Sequence, residues 1–145
     1  MTIRKGNAIE TDYILRLSGT VLNESSMGYL PNNIEHSYTM FVPVIHNGGY
    51  YLIEEENRIL KGWILLTIDW NRLTGKAIGH IDQLYVFPFY RKTGIGKNLM
   101  KAAIQNFYEQ EIQTIQLNVF TGNPAKALYK SLGFKKISTI MELNL

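Results

Sequence analysis

The sequence contains no cysteine among its 145 residues. A disulfide framework, a thiolate metal site and a cysteine nucleophile are therefore excluded. Apolar runs long enough to cross a membrane are also missing, and the first residues lack the basic-then-apolar pattern of a secretory signal. We therefore expect a cytoplasmic protein that makes no membrane contact.

The sequence also has little excess of either charge, since 15 Lys and Arg residues against 12 Asp and Glu residues leave a net charge of +3. No basic stripe interleaved with aromatic residues is present, so we do not expect nucleic acid as a partner. His36 and His46 have no further ligands at metal-binding spacing, and no metal is expected. A hydrophobic content of 46% is enough for a core, and the length suits one domain over residues 1–145.

The most informative stretch is IDQLYVFPFYRKTGIG, from Ile81 to Gly96. It predicts an apolar strand that stops at Pro88, a glycine-rich turn, and a helix from about Gly94 to Gln110. The first N–H groups of a helix have no partner inside it, and the helix dipole is positive there. A strand, a glycine turn and a helix start therefore indicate a phosphate-binding loop.

Two common phosphate loops do not fit this stretch. The P-loop pattern needs Gly where the chain has Arg91 and Ser or Thr where it has Asn98, and the dinucleotide fingerprint needs Gly at Leu99. What remains is R-x-x-G-x-G from Arg91 to Gly96. The alternative interpretation is that the two glycines only shape a turn between strand and helix.

A second pattern, A-x-x-L-Y-x-x-L-G-F from Ala125 to Phe134, follows a predicted strand from Gln113 to Phe120. Together, the two patterns resemble the two signatures of the GNAT superfamily of N-acetyltransferases. The resemblance implies an α/β fold with helices on both faces of a central mixed sheet, whose cofactor-binding strand is bulged and splayed. It also implies acetyl-CoA as co-substrate, with direct attack by an amine on the thioester.

The apolar phase changes within the predicted cofactor strand, because Ile81 is odd-numbered whereas Leu84 and Val86 are even-numbered. One extra residue near Asp82 and Gln83 would produce such a change, which is what a β-bulge does. The alternative is a phase break that only curves the sheet. The resemblance implies that the following residues bind the cofactor: Leu84, Tyr85, Val86, Arg91, Lys92, Thr93, Gly94, Ile95, Gly96, Lys97, Asn123 and Tyr129.

Some of these assignments have a plain structural alternative. Lys97 and Lys101 would also suit a solvated helix face. Asn123 lies six residues before Tyr129 where the family has seven, so it either reaches the pantetheine arm or caps the next helix.

Three residues are candidates for proton transfer. Tyr129 matches the family tyrosine that protonates the leaving thiolate, although a short amphipathic helix would also bury a tyrosine for packing. His80 and Asp82 are two apart on one strand, share a face, and are both candidates for the base. The resemblance leaves the acceptor side to Ser25, Tyr29 and Asp82.

The remaining chain gives coarser predictions. Ile9, Tyr13, Leu17 and Val21 predict the buried face of a first helix capped by Asn7 and Glu10. A last strand is expected from Phe134 to Leu143. Family members usually end in a two-stranded hairpin, whereas only one last strand is expected here. The acceptor site is therefore either open or completed by a partner subunit in a homodimer.

We therefore expect an N-acetyltransferase that moves acetyl from acetyl-CoA to a primary amine. Small-molecule and peptide or protein amines would leave the same patterns. The alternative function is a non-catalytic acyl-CoA sensor on the same fold.

Overall fold

The structure, a computed structural model, describes residues 2–145. The strands are β1 (Thr2–Lys5), β2 (Tyr50–Glu56), β3 (Ile59–Asn71), β4 (Lys76–Val86) and β5 (Ile115–Leu117). The helices are α1 (Ala8–Ser25), α2 (Ile34–His46), α3 (Ile95–Glu109) and α4 (Ala125–Ser131), and one 3-10 turn covers Pro88–Tyr90.

The strands form one mixed sheet in the order β1-β2-β3-β4-β5. The first four strands are antiparallel neighbours, and β5 joins β4 in parallel. Pro88 ends β4 because it cannot donate a ladder hydrogen bond. The mixed α/β fold predicted from the sequence is thereby confirmed.

The sheet separates two apolar layers. On one face, α3 contributes Ile95, Leu99, Ala103 and Phe107, and α4 contributes Tyr129. On the other face, α1 and α2 pack over strand residues that include Trp63 and Ile53. A β4 side chain on one face of the sheet therefore lies towards α3 and α4, and one on the other face lies towards α1 and α2.

β4 carries the predicted bulge. Leu65 of β3 lies opposite Gln83 whereas Leu66 lies opposite Ile81, so Asp82 is the extra residue. β5 pairs with β4 only from Gly79 to Ile81, and the two strands separate beyond that point. The outer edge of β4 from Leu84 to Val86 therefore has no strand partner.

Two strand predictions were wrong. β5 spans three residues and not the predicted 113–120, because beyond Ile81 the bulge and the splay remove its partner. The predicted last strand from Phe134 to Leu143 does not form. Phe134 donates its N–H to the carbonyl oxygen of Tyr129 at 3.1 Å, and no backbone hydrogen bond is formed by residues 135–145. A strand needs a neighbouring edge for its ladder, and this segment lies on none.

Gly79 gives the first testable prediction, because α3 lies directly on it. A Cβ added at Gly79 would be 2.8 Å from the ring of Phe107, which is 1% exposed. We expect Gly79→Ala to lower the free energy of unfolding in urea by about 1–3 kcal/mol, the cost of overpacking. Gly96→Ala is the matched control, since its Cβ would meet nothing closer than 3.5 Å. Equal stability of the two variants would contradict this packing of α3.

Candidate active site

The loop between β4 and α3 has the geometry of an anion cradle. Gly94 caps α3 with φ +90°, a left-handed conformation that glycine adopts without strain. The first hydrogen bond of the helix runs from the N–H of Asn98 to the carbonyl oxygen of Gly94 at 2.9 Å. The N–H groups of Ile95, Gly96 and Lys97 therefore have no acceptor within the helix and can meet an anion.

The loop is held in shape by its own side chains. Thr93 donates its hydroxyl to the carbonyl oxygen of Tyr90 at 2.6 Å, and Lys92 has φ 65°. Gly96 has open space at its Cα, since an added Cβ would be 3.5 Å from Leu128. Lys97 and Lys101 are exposed on the outward side of α3. The cradle therefore presents backbone donors with two cations nearby, which suits a pyrophosphate.

Arg91, the first residue of the pattern, points away from the cradle. Its Nε donates to the carbonyl oxygen of Val86 at 2.8 Å, and its Nη1 lies 2.7 Å from Glu24 Oε1 at the end of α1. Its guanidinium also lies 5.3 Å from the ring centre of Tyr85, whose hydroxyl donates to Glu24 at 3.2 Å. Arg91 thus ties the end of β4 to α1, and a direct contact with the cofactor stays a prediction.

The acidic side chains Glu24 and Glu54 to Glu56 are paired or buried. Arg91 neutralises Glu24, and Lys61 neutralises Glu56 at 2.8 Å. Glu55 pairs with Arg4 at 2.8 Å, and Glu54 is 1% exposed in the core. None of these carboxylates presents an unpaired charge at the surface, so they do not form an acceptor site.

Tyr129 lies on α4, on the α3 face of the sheet. It is 9% exposed and packs in the cluster that includes Leu84 and Val86 of β4. Burial raises the pKa of the Tyr129 hydroxyl to about 12, so the group keeps its proton at neutral pH. It therefore lies beside the unpaired edge of β4 in the protonation state that a general acid requires.

His80 and Asp82 lie on the opposite face, towards α2. His80 Nδ1 and Asp82 Oδ1 are 3.1 Å apart, and the two side chains are 22% and 18% exposed. The hydrogen bond to Asp82 raises the pKa of His80, and burial opposes the shift. The pair lines a cavity of 300 Å³ whose floor and walls are Pro43, Val44, Asn47, Thr67, Ile68 and Asp69. A paired histidine facing such a cavity can accept a proton and release it to water.

Buried polar atoms cluster on this face at the bulge. Asp82 Oδ2, Tyr51 Oη and Gln83 Nε2 are buried without a hydrogen-bond partner in the described chain. Trp63 Nε1 donates to Gln83 Oε1 at 2.7 Å, which fixes the amide so that its NH₂ group is the free end. Burial and the charge of Asp82 raise the pKa of Tyr51. Such atoms need water or a substrate group as hydrogen-bond partners. No pattern in the sequence marks Tyr51 or Gln83 as site residues.

The predicted acceptor residues Ser25 and Tyr29 lie elsewhere, at the open end of the splay. Asn123 Nδ2 donates to the carbonyl oxygen of Ser25 at 3.0 Å, and Asn123 Oδ1 accepts from the N–H of Ala125 at 2.9 Å. Asn123 therefore bonds the first residue of α4 from the position before the N-cap, which is Pro124, and its contact with the pantetheine arm stays a prediction. Tyr29 stacks on Phe120 with ring centres 5.9 Å apart and hydrogen-bonds Glu142.

The candidate residues lie on both faces of the sheet around β4. The cradle follows the end of β4, and Tyr129 packs with Leu84 and Val86 on the α3 face. His80 and Asp82 line the cavity on the α2 face, and His80 lies where β4 and β5 are still paired. Within residues 2–145, no group of three His, Asp or Glu side chains could hold a metal. In the same range, no helix is long and apolar enough to cross a membrane.

A splayed mixed sheet with an anion cradle at the start of α3 defines the class of acyl-CoA acyltransferases. The model of the acetyltransferase (GNAT) family matches residues 21–134, most of the chain. The chain therefore belongs to the GNAT acetyltransferase family.

Individual proteins agree with this assignment. An N-alpha-acetyltransferase of Sulfurisphaera tokodaii is 26% identical over 149 residues, covering 95% of this chain and 82% of the relative. A structure from Pyrococcus furiosus, assigned as an acetyl transferase, superimposes with a TM-score of 0.86 at 23% identity and covers 99% of both chains. An assigned acetyltransferase of Clostridium acetobutylicum, solved with acetyl-CoA, gives a TM-score of 0.77 at 21% identity over 99% of this chain and 95% of its own. The structural likenesses show the shared fold.

Proposed function

We propose that the protein is an acetyl-CoA-dependent N-acetyltransferase that acts as one domain and acetylates the α-amino group of a peptide or protein. The single observation that carries the proposal is the open edge of β4 from Leu84 to Val86, which lies between the end of the β4–β5 pairing at Ile81 and the anion cradle at α3. The N-alpha-acetyltransferase relatives support the choice of acceptor.

The backbone supplies cofactor binding in this proposal. Ile95, Gly96 and Lys97 donate their free N–H groups to the pyrophosphate, and Lys92 and Lys97 add positive charge. Leu84, Tyr85 and Val86 present the unpaired edge of β4 to the pantetheine amides, as a neighbouring strand would. Arg91 Nε donates to the carbonyl oxygen of Val86 at 2.8 Å, which leaves that oxygen one further lone pair for a cofactor amide.

The side chains supply proton transfer. Acetyl-CoA supplies the acetyl group as a thioester. The Asp82–His80 pair takes a proton from the acceptor ammonium, so that the amine nitrogen can attack the thioester carbonyl carbon. An N–H near Val86 stabilises the charge that develops on the carbonyl oxygen. As the carbon–sulfur bond breaks, Tyr129 gives its proton to the leaving thiolate. The second proton that the nitrogen loses as the amide forms passes to solvent, and Tyr129 regains a proton from solvent.

Tyr129→Phe distinguishes this enzyme from a non-catalytic acyl-CoA sensor. Since phenylalanine keeps the packing and removes only the acid, we expect kcat to fall by about 100-fold or more with little change in affinity for acetyl-CoA. Thiol release measures kcat, and calorimetric titration measures the affinity.

Tyr108→Phe is the matched control, because Tyr108 is 74% exposed on α3. A sensor predicts cofactor binding without thiol release in the wild type. An unchanged kcat in Tyr129→Phe would remove Tyr129 from the reaction and leave it a packing residue.

A further inference from the structure

Glu54 of β2 carries a buried carboxyl group that the proposed reaction does not use. The residue is 1% exposed, and its Oε2 atom has no hydrogen-bond partner in the part of the chain that the structure describes. Lys61, whose positive charge lowers the pKa of Glu54, is bonded to Glu56 at 2.8 Å instead. A carboxyl group without an ion pair is costly to bury, so its place in the core indicates a role.

The sheet places Glu54 beneath the first turn of α3. It is two residues from Leu52, which packs on the α3 face, so the two side chains share that face. Glu54 lies opposite Gly62 of β3, and Gly62 lies opposite Val86 of β4. A Cβ added at Gly96 would lie 4.0 Å from Val86 Cγ2, so the start of α3 covers this row of the sheet. Adjacent strands are about 4.8 Å apart, so the backbone of Glu54 is about 10 Å from the end of the open β4 edge.

Asn98 of α3 joins this buried carboxyl group to the anion cradle. Burial raises the pKa of Glu54, and a hydrogen bond from the Asn98 side chain opposes the shift. The backbone N–H of Asn98 also makes the first hydrogen bond of the helix, to the carbonyl oxygen of Gly94 at 2.9 Å. Asn98 is therefore bonded both to the sheet beneath the helix and to the loop in front of it. A contact that fixes Asn98 also fixes the direction of the free N–H groups in the same turn.

We propose that Glu54 is a positioning residue for the anion cradle, which holds the start of α3 through Asn98 and so sets the affinity for the pyrophosphate of the cofactor. The inference rests on the proposed binding of CoA at that cradle. Glu54 itself touches neither the cofactor nor the acceptor. Because burial favours the uncharged form of the group, it opposes a bound anion less than a solvated carboxylate would. The contact needs only an acceptor oxygen, so glutamine can replace Glu54 and an apolar residue cannot.

Calorimetric titration with CoA gives the first test. We expect Glu54→Met and Asn98→Ala each to raise the Kd of CoA by about 3- to 10-fold, the effect of losing one hydrogen bond. Glu54→Gln should stay within about twofold of wild type, since its amide oxygen still accepts. Asn98→Ala removes the same contact from the exposed surface of α3, where the substitution leaves the core intact. Glu109→Met is the matched control, because it removes a carboxylate from the far end of the same helix.

The double variant Glu54→Met with Asn98→Ala tests whether the two residues act through one contact. It should lose no more affinity for CoA than either single variant, because each substitution already removes that contact. Losses that add in the double variant would mean that Glu54 acts independently of Asn98, against the proposal.

A second thioester separates positioning of the cradle from support of the core. S-acetylpantetheine carries the same reactive group as acetyl-CoA and has no pyrophosphate. In Glu54→Met we expect kcat/KM to fall by about 3- to 10-fold for acetyl-CoA, through KM, and to stay unchanged for S-acetylpantetheine. Equal losses with both thioesters would show that Glu54 only supports the core.

The results also separate this inference from the proposed function. A wild type that binds no CoA removes the cofactor site and the positioning role together. A wild type that binds CoA, with an unchanged Kd in both Glu54→Met and Asn98→Ala, keeps the cofactor site and overturns the positioning role alone.

Discussion

Gly96→Asp is expected to lower the affinity for CoA by about 100-fold or more while the protein stays folded. The added carboxylate would stand at the first turn of α3, where the free N–H groups meet the pyrophosphate. Like charges then oppose each other at close range. The same carboxylate stabilises the unliganded helix through its dipole by about 0.3–1 kcal/mol, so the variant should unfold no earlier than wild type.

The readout is the thermal midpoint with and without CoA, because a ligand that binds only the folded state must raise it. Gly96→Asn is the matched control, since it adds nearly the same volume without charge. The Gly96→Asn variant should keep most of the affinity for CoA, because a Cβ added at Gly96 would have no neighbouring atom closer than 3.5 Å. Equal losses in both variants would mean that space, and not charge, matters at this position.

Asp82→Asn is expected to lower kcat by about 100- to 10,000-fold, the range for a general base. It should also move the acid limb of the pH–rate profile. Asp82 raises the pKa of His80 through their hydrogen bond. Losing the carboxylate charge lowers that pKa, so the residual activity should persist to lower pH than in wild type.

Asp69→Asn is the control for removing a charge from the same cavity. The charge of Asp69 also raises the pKa of His80, but without a hydrogen bond, so its removal should shift the acid limb less than Asp82→Asn does. His80→Gln tells the two candidate bases apart. If His80 carries the proton, His80→Gln abolishes the acid limb. If Asp82 acts directly, the limb remains and kcat changes little. An unaltered rate in both Asp82→Asn and His80→Gln would remove the pair from the mechanism.

The same pair predicts how stability depends on pH. The pKa of His80 is raised in the folded protein, so the pair's contribution is fully present below the unfolded pKa of about 6.5. It is lost as pH rises through the higher folded value. The stability difference between wild type and Asp82→Asn should therefore be larger at pH 5 than at pH 8, on the order of 1 kcal/mol, in urea unfolding.

The features predicted well from the sequence depend on local rules. The glycine loop, the capping box at Asn7 and Glu10, and the bulge at Asp82 each follow from backbone constraints within a few residues. The phase change from Ile81 to Leu84 left an extra residue or a curved sheet as explanations, and the strand register shows the extra residue at Asp82.

The buried face of α1 was predicted only in part, for a reason beyond one helix. Val21 is buried and Leu17 packs against the core, as predicted. Ile9 is 81% exposed, and Ile14 and Ser18 are buried instead. Ser18 Oγ donates to Ser37 Oγ of α2 at 2.8 Å, so small polar residues bring the two helices together. A search for apolar periodicity cannot find such a contact, because its partner lies on another helix.

The parts of the candidate site have patterns in the sequence, and their arrangement does not. The loop and Tyr129 carry their own patterns, whereas Tyr51 is brought near Asp82 only by the order of β2, β3 and β4. Arg91 matches the pattern, yet its partner Glu24 is 67 positions away in the chain, and nothing near Arg91 indicates that pairing. Contacts between distant elements decide these details, and a single sequence does not contain them explicitly.

The most direct test of the account is acetyl transfer itself, measured as thiol release from acetyl-CoA with mass analysis of the acceptor. Two versions of one peptide serve as acceptors, one with a free N-terminus and blocked lysines, the other with a blocked N-terminus and free lysines. We expect acetylation of the peptide with the free N-terminus at its α-amine, and loss of the reaction in Gly96→Asp. If the protein binds acetyl-CoA but releases no thiol in the presence of either peptide or of a panel of small amines, it is not an N-acetyltransferase for these acceptors.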